Sequence, residues 1–173
     1  MDAPIGGVPR TSAERKAVTS SVQVSLRVPA NPQRAFTAFT EEIALWWEPS
    51  QLFQITPRGD GRLAFEPGAG GRLFTTLASG KEFEIGRVSV WEPGRRLVFQ
   101  WRQATFRPEQ STEVEVSFEP VGEETRVTIA HRAWDTLPQE HLARHGFPEH
   151  VTLQRVAGWW RASLGSLRNL LSK

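Results

Sequence analysis

One long helical period, placed last, restricts what this chain of 173 residues can fold into. At 100° per residue Val156, Trp160, Leu164, Leu167 and Leu171 share a face, widened by Leu153, Trp159 and Leu170. Much of the sequence before it runs with period two instead. Val22, Val24, Leu26 and Val28 alternate with Gln23, Ser25 and Arg27. Leu97, Phe99 and Trp101 share one face, as do Val114, Val116 and Phe118 against Glu113, Glu115, Ser117 and Glu119. Val127, Ile129, His131 and Ala133 repeat the pattern over Arg126–Ala133. Such segments are half-buried strands, and the short turns between them argue for an antiparallel meander. A curved antiparallel sheet needs its inner face covered, and the last helix is the element long enough to cover it.

The remaining elements fit around that frame. Asn31 suits an N-cap and Pro32 the first helical position, so a short helix runs through Ala35, Phe36 and Phe39. A second helical turn carries Ile43, Leu45, Trp46 and Trp47, and Pro49 stops it. Arg62–Glu66 and Arg72–Leu77 are strands around the turn Pro67-Gly68-Ala69-Gly70-Gly71. Glu82–Glu92 is a longer strand ended by Glu92-Pro93-Gly94, which puts Trp91 at a turn. Its apolar residues Phe83, Ile85, Val88 and Val90 change phase across Gly86, as a β-bulge there would require. Either Glu82 and Glu84 or Phe83 and Ile85 then face inward. Residues 138–145 read as a short helix ended by Gly146 and Pro148. The fold class is α+β: a curved antiparallel sheet of about six to seven strands gripping a long C-terminal helix, with two short helices after the first strand.

Residues 1–20 mix Pro, Gly, Ser and charges without a period and read as a flexible tail, leaving one domain over 21–173. They show no secretory pattern, and no apolar run in the chain approaches a membrane span. The expected compartment is the cytoplasm. The formal net charge is +2, and the arginines are interleaved with acids, which argues against nucleic-acid binding. Zero Cys removes thiolate chemistry and Cys-ligated metals, while zero Tyr beside 7 Trp and 10 Phe gives an aromatic set without hydroxyls.

Five segments together resemble the helix-grip superfamily (START-like, Bet v 1-like, SRPBCC). They are VPANPQRAFTAFTEEIALWW at 28–47, EPGAGGRL at 66–73, GRVSVWEPGRRLVFQWR at 86–102, TEVEVSFEPVGEETRVTIAHRAW at 112–134 and GWWRASLGSLRNLL at 158–171. Within it they are most similar to the branch related to the activator of Hsp90 ATPase. The resemblance implies a cavity between sheet and long helix that often takes an apolar ligand. It does not imply one activity, since members include binders, cyclases, dehydratases and a co-chaperone domain. That co-chaperone has a further N-terminal domain, which a 20-residue tail is not expected to supply.

Few residues carry chemistry on their own. His131 points inward by strand phase, either as an acid/base or ligand-orienting group or as a satisfied core histidine. Nothing completes a triad with it, and G-x-S-x-G is absent. His141 and His145 are spaced four apart with His150 beyond, but Gly146 and Pro148 interrupt the helix and no metal site is expected. The glycines at 68–71 join strands rather than opening a helix, so they read as a turn and not a phosphate loop. On the last helix Gly158, Ala162, Gly165 and Asn169 form a narrow stripe of small or polar residues, a possible homodimer contact.

The expected function is binding of a small apolar or aromatic molecule, by desolvation worth about 25 cal/mol per Å² of apolar surface. Trp46, Trp47, Phe99, Trp101, Phe118, His131, Trp134, Trp160 and Leu164 are the expected lining, with His131 foremost in orienting the guest. No cofactor is expected. The alternatives are a cyclase, dehydratase or hydrolase using the same cavity, and an Hsp90-type ATPase co-chaperone module.

Overall fold

In the computed structural model residues 21–50, 52–137, 141 and 147–173 are described. The tail expected at 1–20 lies outside them, as does the helix expected at 138–145 apart from His141. Strand β1 (Val22–Val28) leads into helices α1 (Pro32–Glu41) and α2 (Ile43–Trp46). Six strands follow: β2 (Arg62–Phe65), β3 (Arg72–Thr76), β4 (Glu82–Glu92), β5 (Arg96–Trp101), β6 (Thr112–Val121) and β7 (Glu124–Arg132). A single 3₁₀ turn at Trp134–Thr136 and the long helix α3 (Glu149–Leu171) complete the order. The sheet is antiparallel throughout, in the order β1-β7-β6-β5-β4-β3-β2, and curls into a half-barrel around α3.

The expected alternation sets the register. Val22 pairs with His131 and Val24 with Ile129, while Val114 pairs with the same His131 from the other side. Along β6 and β7 the alternation buries Val114, Val116, Phe118, Val127, Ile129 and His131 on the inner face, in one core with Val156, Trp160, Leu164 and Leu167 of α3. The outer face is ionic: Glu115 sits between Arg96 and Arg132. Helix α1 starts as its sequence dictates, with Asn31 Oδ1 accepting the Arg34 N–H at 2.8 Å.

The phase change at Gly86 is real. The β3–β4 register shifts between Leu73 and Phe74, so that Gly86 faces Leu73 and Glu84 faces Phe74, leaving Ile85 as the extra residue. A Cβ on Gly86 would lie 1.5 Å from the Gln100 carbonyl oxygen, so no side chain fits there. The open orientation resolves in favour of the apolar pair. Ile85 is fully buried and Phe83 packs on the core, whereas Glu82 and Glu84 turn outward to Arg72 (3.2 Å) and Arg87 (2.9 Å).

Three expectations need correction. Trp91 belongs to β4, not to the turn after it, and its ring packs edge-on to Phe36 (5.2 Å, 90°). Helix α2 stops at Trp46, with Trp47 as its C-cap. Strand β7 stops at Arg132, because Ala133 adopts a left-handed backbone (φ 71°) and turns the chain back so that Trp134 is buried. That reversal, and not strand phase, is what buries Trp134.

Candidate functional site

The inner end of the sheet holds a continuous cluster of rings. Trp101 ends β5, His131 lies near the end of β7, Trp134 follows the left-handed turn, and Trp159 and Trp160 come from the middle of α3. Trp46 and Trp47 arrive from α2, and Phe53 from the irregular segment between α2 and β2. Flat contacts dominate three pairs: Trp159 on Trp160 (5.0 Å, 24°), Phe53 on Trp159 (5.3 Å, 22°) and Trp47 on Trp101 (5.7 Å, 27°). The other pairs meet edge to face or tilted, as their quadrupoles favour: Trp134 approaches Phe53 at 5.9 Å and His131 at 5.0 Å.

The hydrogen bonds of these rings separate them into two kinds. Trp46 donates to the Ala38 carbonyl (2.9 Å), Trp47 to Asp60 Oδ2 (2.9 Å), Trp101 to Gln103 Oε1 (3.5 Å) and Trp160 to His131 Nδ1 (3.0 Å). The indole N–H groups of Trp134 and Trp159 are buried and have no hydrogen-bond partner among the described residues. An unmatched buried donor costs about 1–3 kcal/mol.

The bonds of His131 define its proton. An indole nitrogen can only donate, so Nδ1 of His131 accepts and the ring is the neutral Nε2–H tautomer. Nε2–H then donates to Thr112 Oγ1 (2.7 Å), and Thr112 donates onward to the Trp101 carbonyl (3.3 Å). Burial pushes the imidazole pKa down to about 3. Both ring nitrogens are therefore bonded within the protein and neither is left free toward a guest. The histidine holds Trp160 of α3 and Thr112 of β6 in place.

Of the residues expected to line the site, Trp46, Trp47, Trp101, His131, Trp134 and Trp160 come together. Phe99 and Phe118 lie in a neighbouring group under α1: Phe99 packs on Phe65 (5.3 Å), and Phe118 touches Phe36 (5.2 Å) and Phe39 (6.1 Å). Leu164 is fully buried and also borders a groove of about 390 Å³ between β1 and α3, with Val24 and Arg161 among its walls. Sequence reasoning missed Phe53, Asp60 and Thr112 and left Trp159 off the lining. Phe53 and Asp60 sit in a segment with no period to read. Asp60 accepts from the backbone N–H of Ile55 (2.9 Å) as well as from Trp47, and so ties that segment to the cluster. His141 meets Gln110 (3.1 Å) and the ring of Phe106 (5.3 Å), and among the described residues no group of three His, Asp or Glu could hold a metal ion.

This half-barrel around one helix has known counterparts. The family model described as "Activator of Hsp90 ATPase homolog 1-like protein" matches residues 29–172. The chain belongs to this family. Solved structures of the same fold include a protein from Mesorhizobium loti (18% identity, 88% of this chain and 96% of that one, TM-score 0.62). An Hsp90 activator from Plasmodium falciparum matches at 20% identity over 88% of this chain and 96% of its own, TM-score 0.60. The Aha1 dimer from Colwellia psychrerythraea matches at 19% identity over 87% and 95%, TM-score 0.57. No curated protein matches. At these identities the likeness to solved structures carries the helix-grip fold of the Hsp90-activator-like family and nothing more about this member. Among the described residues no helix is long and apolar enough to cross a membrane.

Proposed function

We propose that this member of the family binds a small, flat aromatic molecule in the ring cluster at the inner end of the sheet. The observation that carries the reading is the pair of buried, partnerless indole donors on Trp134 and Trp159, set among stacked rings. A core that serves stability alone gains by leaving no such donor unmatched. A ligand pocket has the opposite composition, mostly apolar walls with a few polar groups awaiting the guest.

The same geometry speaks against acid/base catalysis at this place. Among the described side chains, the titratable groups bonded into the cluster are His131, with both nitrogens occupied, and Asp60, with both oxygens occupied. Glu82 and Glu84 lie on the outer face, paired with arginines. A role beside an Hsp90-type ATPase rests on the family description alone, and no side-chain arrangement described above speaks for it. The cytoplasm is the compartment this reading assumes.

Calorimetric titration with fluorene and with fluorenone, two rigid tricyclic probes, tests the binding reading. At least one is expected to bind the wild type in the micromolar range and to quench tryptophan fluorescence. Failure of both to bind removes it.

The reading extends to a second copy of the chain. Gly158 and Gly165 on α3 each face open space where a side chain would begin, and Ala162 between them is exposed. We propose that this stripe is a homodimer contact; that the related Colwellia psychrerythraea protein was solved as a dimer agrees with it.

A further inference from the structure

The two terminal strands of the sheet are finished differently. β2 is a short edge of 4 residues, whereas β1 runs for 7, Val22–Val28, in unbroken register with β7. Shortness, bulges, prolines and inward-pointing charges keep an edge from pairing with another chain, and β1 has none of them. Every second residue of β1 turns its N–H and C=O away from β7. Over Val22–Arg27 nothing among the described residues bonds to these groups, α3 included.

A groove follows that edge. Gln23, Val24, Ser25 and Leu26 line one space of about 390 Å³ together with Arg161 and Leu164 of α3. Gln23 and Ser25 belong to the outer face of the sheet, Val24 and Leu26 to the inner one. Consecutive residues from opposite faces meet one space only along the edge of their strand. The volume lies within the range of about 300–1,000 Å³ common to ligand sites.

The charge along the groove has one sign. β1 has no acidic residue, and α3 has only Glu149, in its first turn. Arg161 is exposed and pairs with no carboxylate among the described residues. Arg168, seven residues on, shares that flank of the helix and has no such partner either. On the outer face, by contrast, Arg96 and Arg132 share Glu115.

We propose that this groove takes an extended acidic segment of another protein, which adds to the free edge of β1 as a further strand. The main chain of the guest satisfies the open N–H and C=O groups of β1, which a small amphipathic anion would leave unpaired. Its inward side chains supply the specificity. One is apolar and packs beside Val24, Leu26 and Leu164. The next inward position, two residues along, brings a carboxylate to Arg161, one helical turn from Leu164. The small-residue stripe of α3 adjoins the groove across Arg161 without lining it, and the ring cluster plays no part in this binding.

The heptapeptide TVTETVT, blocked at both ends and carrying a fluorophore, tests the proposal, because its valine–glutamate–valine face reads the same in either direction. Fluorescence anisotropy is expected to show micromolar binding to the full chain. The glutamine counterpart TVTQTVT should bind about twofold to fivefold more weakly, the worth of one exposed ion pair. Arg161→Gln should weaken TVTETVT by the same factor and leave TVTQTVT unchanged, which also shows that the variant is folded. N-methylation of TVTETVT at its third and fourth residues removes a donor on whichever side faces β1, and should abolish binding. In ¹H–¹⁵N spectra alternate β1 amides, exchanging freely in the protein alone, should become protected with the peptide. No binding of TVTETVT, or equal binding of its N-methylated form, overturns the proposal. Octanoate that displaces the peptide at equal affinity assigns the groove to a small anion and overturns it as well. So does protection of the same amides without peptide, growing with protein concentration, which assigns the edge to a second copy.

Discussion

Protonating His131 would break a bond that holds α3 to the sheet, because Nδ1 could no longer accept the N–H of Trp160. With a pKa of about 3 in the folded protein against 6.5 in the unfolded chain, the imidazole stays neutral when folded while the unfolded chain takes up a proton. Below pH 6.5 the unfolded state therefore binds more protons, and stability falls by up to about 1.4 kcal/mol per pH unit until the folded pKa is reached. Above pH 6.5 the contribution is complete and flat. Glu66 and Glu115, held below the usual carboxylate range by Arg72 and Arg96, add their losses only below pH 4.5. Urea unfolding between pH 6.5 and 4.5 should thus show a loss of roughly 2–3 kcal/mol assignable mainly to histidine. His141, lowered by burial too, contributes in the same direction, so the comparison must be with a variant. His131→Asn should start about 1–3 kcal/mol less stable at pH 7, from the orphaned indole, and fall less steeply below pH 6.5. A slope identical to the wild type would show that His131 does not carry it.

At the scale of elements, Gly86 is where the sheet has no tolerance. The nearest atom to an added Cβ is the backbone oxygen of Gln100, which cannot retreat without opening the β4–β5 ladder. Gly86→Ala is expected to cost about 3 kcal/mol in denaturant unfolding, at the upper end for overpacking. A cost under 1 kcal/mol would mean that the bulge relaxes. This constraint was legible in the sequence because the alternation of β4 breaks phase at that residue. The same logic made β1, β6, β7 and the buried face of α3 readable, since each keeps one period over its length. The site was legible only where a period reached it. Trp101, His131 and Trp160 follow from strand and helix phase, whereas Phe53 lies in a segment without one and enters through long-range bonds to Gln103 and Asp60. Trp91 misled for a related reason: Pro93-Gly94 marks the turn clearly, but β4 keeps its pairing through Glu92, opposite Arg96. Which donors lack partners is a property of the assembled cluster, and no pattern of residues along the chain encodes it.

For the whole molecule, the half-barrel leaves β1 as a terminal strand of the sheet, paired on one side by β7. Next to it runs the groove walled by Val24, Leu26, Arg161 and Leu164, and Arg161 lies between that groove and the small-residue stripe of α3. An edge strand beside a helix face without side-chain bulk is a surface on which a second copy can settle closely, and a two-fold axis would bring the same stripe to both sides. Helix energetics sharpen the point. Glycine inside a helix costs about 1 kcal/mol relative to alanine, and α3 carries two on its exposed face, where packing within the chain gives no reason for them. Gly158→Leu separates the two explanations. If the stripe is a dimer contact, sedimentation or light scattering should report a dimer for the wild type and a monomer for the variant. The variant should also be the more stable monomer, by up to about 1 kcal/mol, because leucine is the better helix former and meets open space within its own chain. A variant with unchanged mass would remove the dimer contact and leave the glycines as unoptimised surface.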